Sequence, residues 1–173
     1  MNATAAAVAK SPDFVISRVF DAPRDLVWKC FTEAEHASKW WGPKGVTTSV
    51  KSLELRPGGM NHYKMTTPDG QVMWGKSVYR EIAAPARLVF INSFSDENAG
   101  LTRHPLAPSW PQEMMTVITF EEQPGGKTKV TIRWSPHNPT AEEQATFDAG
   151  HDSMRGGWTG SFEQLEAYLA KTK

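Results

Sequence analysis

The chain has 173 residues, and 19 Lys and Arg balance 19 Asp and Glu, so its formal net charge is zero. This length suits a single domain that buries a sizeable core without a metal or disulfide, and the balanced charge argues against a dedicated nucleic-acid binder. One cysteine, Cys30, excludes an internal disulfide and a thiolate metal cluster, and no motif calls for a cofactor.

Residues 1–12 are rich in alanine and lack the basic start and the long apolar run of a secretory signal. We expect a flexible tail there, followed by one domain over residues 13–173. No stretch approaches the ~18 apolar residues that a membrane-spanning helix needs. We therefore expect a cytoplasmic protein that does not enter the membrane.

The first predicted elements are one strand and two short helices. Residues 14–20 are typical of a strand, and Asp21-Ala-Pro23 is typical of a helix start. Apolar residues at spacings of three and four predict a helix over residues 24–31. A second short helix is predicted over residues 33–40, and Gly42-Pro43 ends it.

From residue 46 onward the pattern changes to strands joined by turns. Pro-Gly-Gly at 57–59, Pro-Asp-Gly at 68–70 and Pro-Gly-Gly at 124–126 are hairpin-type turns. Strands joined in sequence by short turns predict an antiparallel meander. The six further strands are predicted over residues 46–55, 59–67, 71–82, 87–95, 113–123 and 127–135.

Alternation along the third strand predicts which of its side chains are buried. Lys64 should face water, so Tyr63 should point from the sheet towards the terminal helix. If the next turn has three residues, Tyr63 pairs with Gly75, and Ser77 and Tyr79 also point inward. Small residues such as Gly75 beneath a helix leave space, which predicts a cavity there.

The connection between residues 95 and 112 is longer than the others and contains Trp110. Loops of this length are usually functional lids or disordered segments. Trp110 favours a lid, because a fully solvated loop gains nothing from an exposed indole.

The last element is predicted as one helix over residues 140–170. Thr140 followed by Glu143 is a capping-box pattern. An apolar stripe recurs at spacings of three and four: Phe147, His151, Met154, Trp158, Phe162, Leu165 and Leu169. Three glycines lie in the middle of this helix, at positions 156, 157 and 160. Two explanations stay open for them: close packing against another backbone, or a hinge or opening beside a cavity.

These elements predict an α+β protein in which a seven-stranded antiparallel sheet grips the terminal helix. Aromatic walls around a cavity are typical of a small-molecule site. The candidate ligand-binding residues are Trp41, Tyr63, Tyr79, Trp110, Trp134, His151, Met154 and Trp158. For Trp41, Trp134 and His151, core packing is the alternative interpretation.

Catalytic and metal-binding motifs are absent from the sequence, so no residue is assigned either role. It has no nucleophile elbow, phosphate-binding loop or zinc-binding His-Glu-x-x-His helix. His151 is the one candidate for proton chemistry, because an imidazole titrates near neutral pH. We expect its ring to face the sheet and border the cavity.

Several motifs resemble one known family. They include Asp21-Ala-Pro23, Trp40-Trp41-Gly42-Pro43, Arg56-Pro-Gly-Gly59, Tyr79-Arg-Glu-Ile82, Arg87-Leu-Val-Phe90 and Gly157-Trp158. From about residue 13 to 170, the chain resembles the heat-shock-protein-90 ATPase-activator-like branch of the START-like (SRPBCC) superfamily, which includes polyketide cyclases and the birch-pollen allergen. The resemblance implies a helix-grip fold, with a seven-stranded antiparallel sheet curled around a long C-terminal helix and two short helices between the first two strands. It carries over no catalytic residue.

Three functions stay open. The first, which the predicted cavity favours, is a binding protein for an apolar or aromatic small molecule. The second is an enzyme such as a cyclase, dehydratase or hydrolase, which needs His151 or a carboxylate such as Glu81 in the cavity. The third is a module that binds a protein partner, for example a chaperone, which needs an exposed apolar patch on the outer face of the sheet, with Trp74 as the first candidate. The oligomeric state, a homodimer included, stays open as well.

Overall fold

The structure is a computed structural model that describes residues 13–42, 45–104 and 107–172. The flexible tail expected over residues 1–12 lies outside the described residues, as does Pro43 of the predicted helix stop. Among the described helices, none is both long and apolar enough to cross a membrane.

Seven strands form one antiparallel sheet, as the turn pattern predicts. They are β1 (Phe14–Phe20), β2 (Thr47–Leu53), β3 (Met60–Thr66), β4 (Val72–Ala83), β5 (Arg87–Ser95), β6 (Met114–Gln123) and β7 (Lys127–Pro136). Their spatial order is β1-β7-β6-β5-β4-β3-β2. Strands β2 to β7 therefore form a meander of sequence neighbours, and β1 joins it by pairing with β7.

The described part of the chain contains four helices beside the sheet. Between β1 and β2 lie α1 (Arg24–Thr32) and α2 (Ala34–Ala37), and after β7 lie α3 (Ala141–Ala149) and α4 (His151–Thr172). Helix α1 closes one end of the core, because Trp28 and Phe31 each meet the ring of Phe120 edge-on, with centroids 5.2 and 5.3 Å apart. Together these elements form the expected α+β helix-grip fold.

The predicted single helix over residues 140–170 is wrong in one respect, because it breaks at Gly150. This residue ends α3 with φ −100° and ψ 8°, and α4 begins at the next residue. The predicted capping box is confirmed at the start of α3, where the Glu143 N–H donates to Thr140 Oγ1 (3.1 Å) and the Thr140 N–H donates to Glu143 Oε1 (3.0 Å).

Helix α4 packs its apolar stripe onto the sheet and against β1. Its buried residues are Met154, Trp158, Phe162, Leu165 and Leu169. The ring of Phe162 meets Phe20 of β1 edge-on at 5.4 Å. Each such buried side chain contributes about 1.5–3 kcal/mol to folding, so the stripe fixes α4 along the sheet.

Candidate ligand-binding site

A cavity of about 230 Å³, partly open to solvent, lies between the sheet and α4. An apolar cavity of about 150 Å³ holds benzene in a protein core, so this one has room for a larger molecule. Six of the eight candidate residues line it: Trp41, Tyr63, Trp110, Trp134, Met154 and Trp158.

Tyr79 does not line this cavity. It borders a separate space of only about 20 Å³, beside Phe31 and Phe90. Its side chain is 2% exposed, and burial raises the pKa of its hydroxyl. Tyr79 faces the helices as predicted, but it packs in the core and not at the cavity.

His151 does not line the cavity either, contrary to expectation. Its ring packs edge-on against Phe14 (5.8 Å between centroids) and Phe147 (5.0 Å). The break at Gly150 makes His151 the first residue of α4, and these two rings hold it there. Its Nε2 is buried without a hydrogen-bond partner among the described residues.

The position of Tyr63 depends on the glycine opposite it. Tyr63 of β3 pairs with Gly75 of β4, the register predicted from a three-residue turn. A Cβ at Gly75 would lie 2.8 Å from the Tyr63 ring, closer than real Cβ contacts come. The ring therefore lies across the strand only because residue 75 has no side chain.

The Tyr63 hydroxyl is the one acidic group among the described residues that line the cavity. Burial raises its pKa, and hydrogen bonds with the Trp41 and Ser77 side chains oppose that rise without cancelling it. Because the ordinary pKa of a tyrosine is already about 10, the hydroxyl stays neutral at physiological pH.

Four tryptophans from four parts of the chain form one wall of the cavity. Trp158 of α4 lies 5.9 Å from Trp41, which follows α2, and 5.6 Å from Trp134 of β7, both nearly perpendicular. Trp110 continues the row, 6.4 Å from Trp134. Edge-to-face contacts of this kind are favourable for aromatic rings, so the wall is held by its own ring contacts.

The β5–β6 loop (residues 96–113) brings Trp110 to this wall and is tied to α3. Arg103 Nη1 donates to Glu143 Oε2 at 2.7 Å, and Thr146 Oγ1 donates to Ser109 Oγ at 2.9 Å. The Trp110 ring also packs on Phe147, 6.3 Å away. The described part of the loop is thus anchored on α3, as a closed lid would be.

Glu143 anchors this loop as a buried carboxylate, 5% exposed. Burial alone would raise its pKa, but the Thr140 backbone N–H and the Arg103 side chain stabilise the charged form and hold its pKa below the usual range. Glu143 thus serves both the capping box and the loop.

The polar groups at the cavity are uncharged. The described residues that line it include no Asp, Glu, Lys, Arg or His, and across the described chain no three metal-binding side chains cluster together. Asn92 Oδ1 accepts a hydrogen bond from Thr116 Oγ1 (2.5 Å), and Ser161 Oγ donates to the Gly42 carbonyl (3.2 Å). Uncharged polar groups of this kind can form hydrogen bonds with a neutral ligand.

Several lining residues are not among the candidates that the sequence offers, including Met65, Phe94, Pro111 and Met114. Met65 carries a signal, because period-two alternation places it on the same face as Tyr63. Phe94 and Met114 lie at strand ends whose facing depends on register across the sheet. Pro111 has no local signal, since only the folded loop brings it to the cavity.

The outer face of the sheet carries Trp74, the candidate for an exposed apolar patch. The ammonium groups of Lys51 and Lys64 lie 5.5 and 5.9 Å from its ring centroid, and the His62 ring lies 4.9 Å away. Trp74 is half-buried by these neighbours. Its surroundings are therefore cationic rather than apolar.

The chain is similar to one known protein family and to several solved structures. A family model described as Activator of Hsp90 ATPase homolog 1-like protein matches residues 21–170. No curated protein matches the chain. A solved structure from Arthrobacter aurescens is similar at 27% identity and a TM-score of 0.76, covering 93% of this chain and 87% of that chain. One from Mycobacterium smegmatis is similar at 25% identity and a TM-score of 0.74, covering 94% of each chain.

Proposed function

The chain belongs to the Activator of Hsp90 ATPase homolog 1-like family, and from that premise we propose that it binds an apolar or aromatic small molecule between the sheet and α4. One observation carries the proposal. Four tryptophans and Tyr63 surround a cavity of about 230 Å³ that no described side chain fills. Protein interiors are otherwise close-packed, with few voids larger than a water molecule.

The enzyme alternative lacks an acid or base in the right place. His151 packs against two phenylalanines, and Glu81 lies on the exposed surface with its carboxylate 3.1 Å from Arg87 Nε. Neither lines the cavity. A general base has to come within hydrogen-bond reach of the group it deprotonates, so we favour binding over catalysis.

The interaction-module alternative rests on the family description, which refers to a chaperone ATPase. It requires an apolar patch on the outer face, and Trp74 instead lies under two lysine side chains.

The proposal is tested with N-phenyl-1-naphthylamine, a neutral apolar dye that accepts energy from tryptophan. We expect saturable binding that quenches tryptophan emission and raises dye emission. Gly157→Leu should weaken binding at least about fivefold, because residue 157 lies exposed at the cavity and has open space where its side chain would go.

The matched control is Gly156→Leu, one position earlier on α4. Gly156 is also exposed and also has open space around a Cβ, but it does not line the cavity. Its dye affinity should equal that of the wild type. Absence of saturable binding to the wild type, or equal weakening by both variants, would contradict the proposed function.

A further inference from the structure

Two tryptophans of the cavity wall carry an unused hydrogen-bond donor. The indole nitrogens of Trp134 and Trp158 are buried and find no partner among the described residues. Elsewhere the chain pairs a buried indole in the ordinary way, since Trp40 Nε1 donates to the Cys30 carbonyl at 2.8 Å. A buried donor without a partner is unfavourable, so two of them side by side call for an explanation.

The two donors belong to one place in the fold. Trp134 is on β7, Trp158 is on α4, and both line the cavity. Their ring centroids lie 5.6 Å apart with the planes at 77°. They therefore mark the side of the cavity where the sheet meets the helix.

The neighbouring polar groups do not supply the acceptor. Asn92 points its amide oxygen at Thr116 Oγ1, which leaves the donor Nδ2 as the other end of the side chain. Ser161 uses its hydroxyl to donate to the Gly42 carbonyl. Among the described residues, neither side chain accepts a hydrogen bond from the two indoles.

Charge gives a second constraint on the ligand. None of the described residues that line the cavity is a charged type, and the Tyr63 hydroxyl is neutral at physiological pH. Burying an ionised group without a partner of opposite charge is strongly unfavourable. A carboxylate, sulfonate or ammonium group would therefore be excluded from the buried part of the ligand.

We propose that the ligand is a neutral, largely apolar molecule with a carbonyl-type oxygen, and that this oxygen accepts hydrogen bonds from the indole N–H groups of Trp134 and Trp158. This inference rests on the proposed function and names the ligand class for the same cavity. Both nitrogens are covered by protein atoms in this structure. The acceptor reaches them when the indole rings turn, so binding changes the environment of these two rings.

The test compares two probes of nearly equal shape, 2-acetylnaphthalene and 2-isopropenylnaphthalene. They differ in one group, because a carbonyl oxygen in the first replaces a methylene carbon in the second. We expect the wild type to bind 2-acetylnaphthalene roughly three- to tenfold more tightly, the effect of one or two neutral hydrogen bonds. Equal affinities would overturn the inference and leave the proposed function standing.

Phenylalanine variants assign the preference to the two indoles. Trp134→Phe and Trp158→Phe keep an aromatic ring and lose the N–H, so each should reduce the ratio of the two affinities towards one. Trp110→Phe is the matched control on the same wall, because the Trp110 nitrogen is not among the unpartnered buried atoms. It should change both affinities alike and keep the ratio.

Nuclear magnetic resonance of the unaltered chain gives a second readout if a variant does not fold. Two of the seven indole N–H signals should move downfield with 2-acetylnaphthalene and not with 2-isopropenylnaphthalene. A preference that survives in both Phe variants, or an acetyl probe that moves no indole N–H signal, would overturn the inference. Absence of binding by both probes would also overturn the inference, and the dye titration decides the proposed function separately.

Discussion

Tyr63 and Gly75 face each other on β3 and β4, and both line the cavity. The ring lies across a backbone position where a Cβ would come within 2.8 Å of it. The Tyr63 ring is almost fully buried, 6% exposed, so it has little freedom to move away except into the cavity. A single methyl group at residue 75 therefore changes both packing and cavity shape.

We predict that Gly75→Ala lowers the free energy of unfolding by about 1–3 kcal/mol, the usual range for overpacking a core. Urea unfolding followed by fluorescence measures this change. In the Gly75→Ala, Tyr63→Leu double variant, the new methyl group no longer meets an aromatic ring. The loss of unfolding free energy in the double variant should therefore be smaller than the sum of the losses in the two single variants. Additive costs would show that the Tyr63 ring is not what makes glycine necessary.

The carboxylate of Glu143 holds the β5–β6 loop through its contact with Arg103. Its pKa is held below the ordinary value of 4.5, and a carboxyl whose pKa is lower in the folded state stabilises the fold above its unfolded-state pKa. That stabilisation is fully present above about pH 4.5 and is lost as the pH falls through the lower folded-state value.

We predict that Glu143→Gln lowers the free energy of unfolding at pH 7 by about 1–3 kcal/mol, because Arg103 loses a charged partner. The difference from the wild type should shrink as the pH falls below about 4.5. Denaturant unfolding at several pH values measures it. Glu142→Gln, at the exposed neighbouring position, is the control and should change little; an equal effect in both would contradict the prediction.

At the scale of elements, α4 combines a buried stripe with three glycines that have no packing role. A Cβ at Gly156, Gly157 or Gly160 meets no atom within 4 Å. Close packing against another backbone, one of the two explanations open from the sequence, is therefore wrong. The glycines leave space along the helix, and Gly157 leaves it at the cavity.

We predict that Gly160→Ala raises the free energy of unfolding by about 0.5–1 kcal/mol, since alanine favours the helix and nothing obstructs its methyl group. Thermal unfolding measures it. Gly150→Ala is the contrasting variant, because its Cβ would lie 3.2 Å from the Thr146 carbonyl oxygen at the junction of α3 and α4. It should give no such gain; loss of stability in Gly160→Ala would contradict the prediction.

Most of the elements could be predicted because their signals are local. Turn residues at 57–59, 68–70 and 124–126 separate the strands, and one turn length sets the pairing of Tyr63 with Gly75. The break at Gly150 could not be predicted, because the helical spacing continues through it and the Trp110 ring that packs there comes from a distant loop. The expectation that the His151 ring borders the cavity depended on the same unbroken helix.

At the scale of the whole molecule, the cavity arises from how the sheet and the helices meet. Among the described strands, β1 and β2 are the outermost of the sheet, and α4 packs along it beside β1. Helix α1 and the residues that follow α2 fill one end with the aromatic side chains of Trp28, Phe31 and Trp40, and the β5–β6 loop covers the wall through Trp110. Each piece of the wall comes from a different element. Periodicity within one element predicts that Trp134 of β7 and Trp158 of α4 are buried, but only the complete fold brings them together with Phe94 and Pro111.

The central claim is that this cavity holds a ligand, and a crystal structure of the chain with N-phenyl-1-naphthylamine tests it most directly. The account predicts one dye molecule between the sheet and α4, in contact with Tyr63, Trp134 and Trp158. Dye bound only elsewhere on the surface, or a cavity closed by the protein's own side chains, would contradict it.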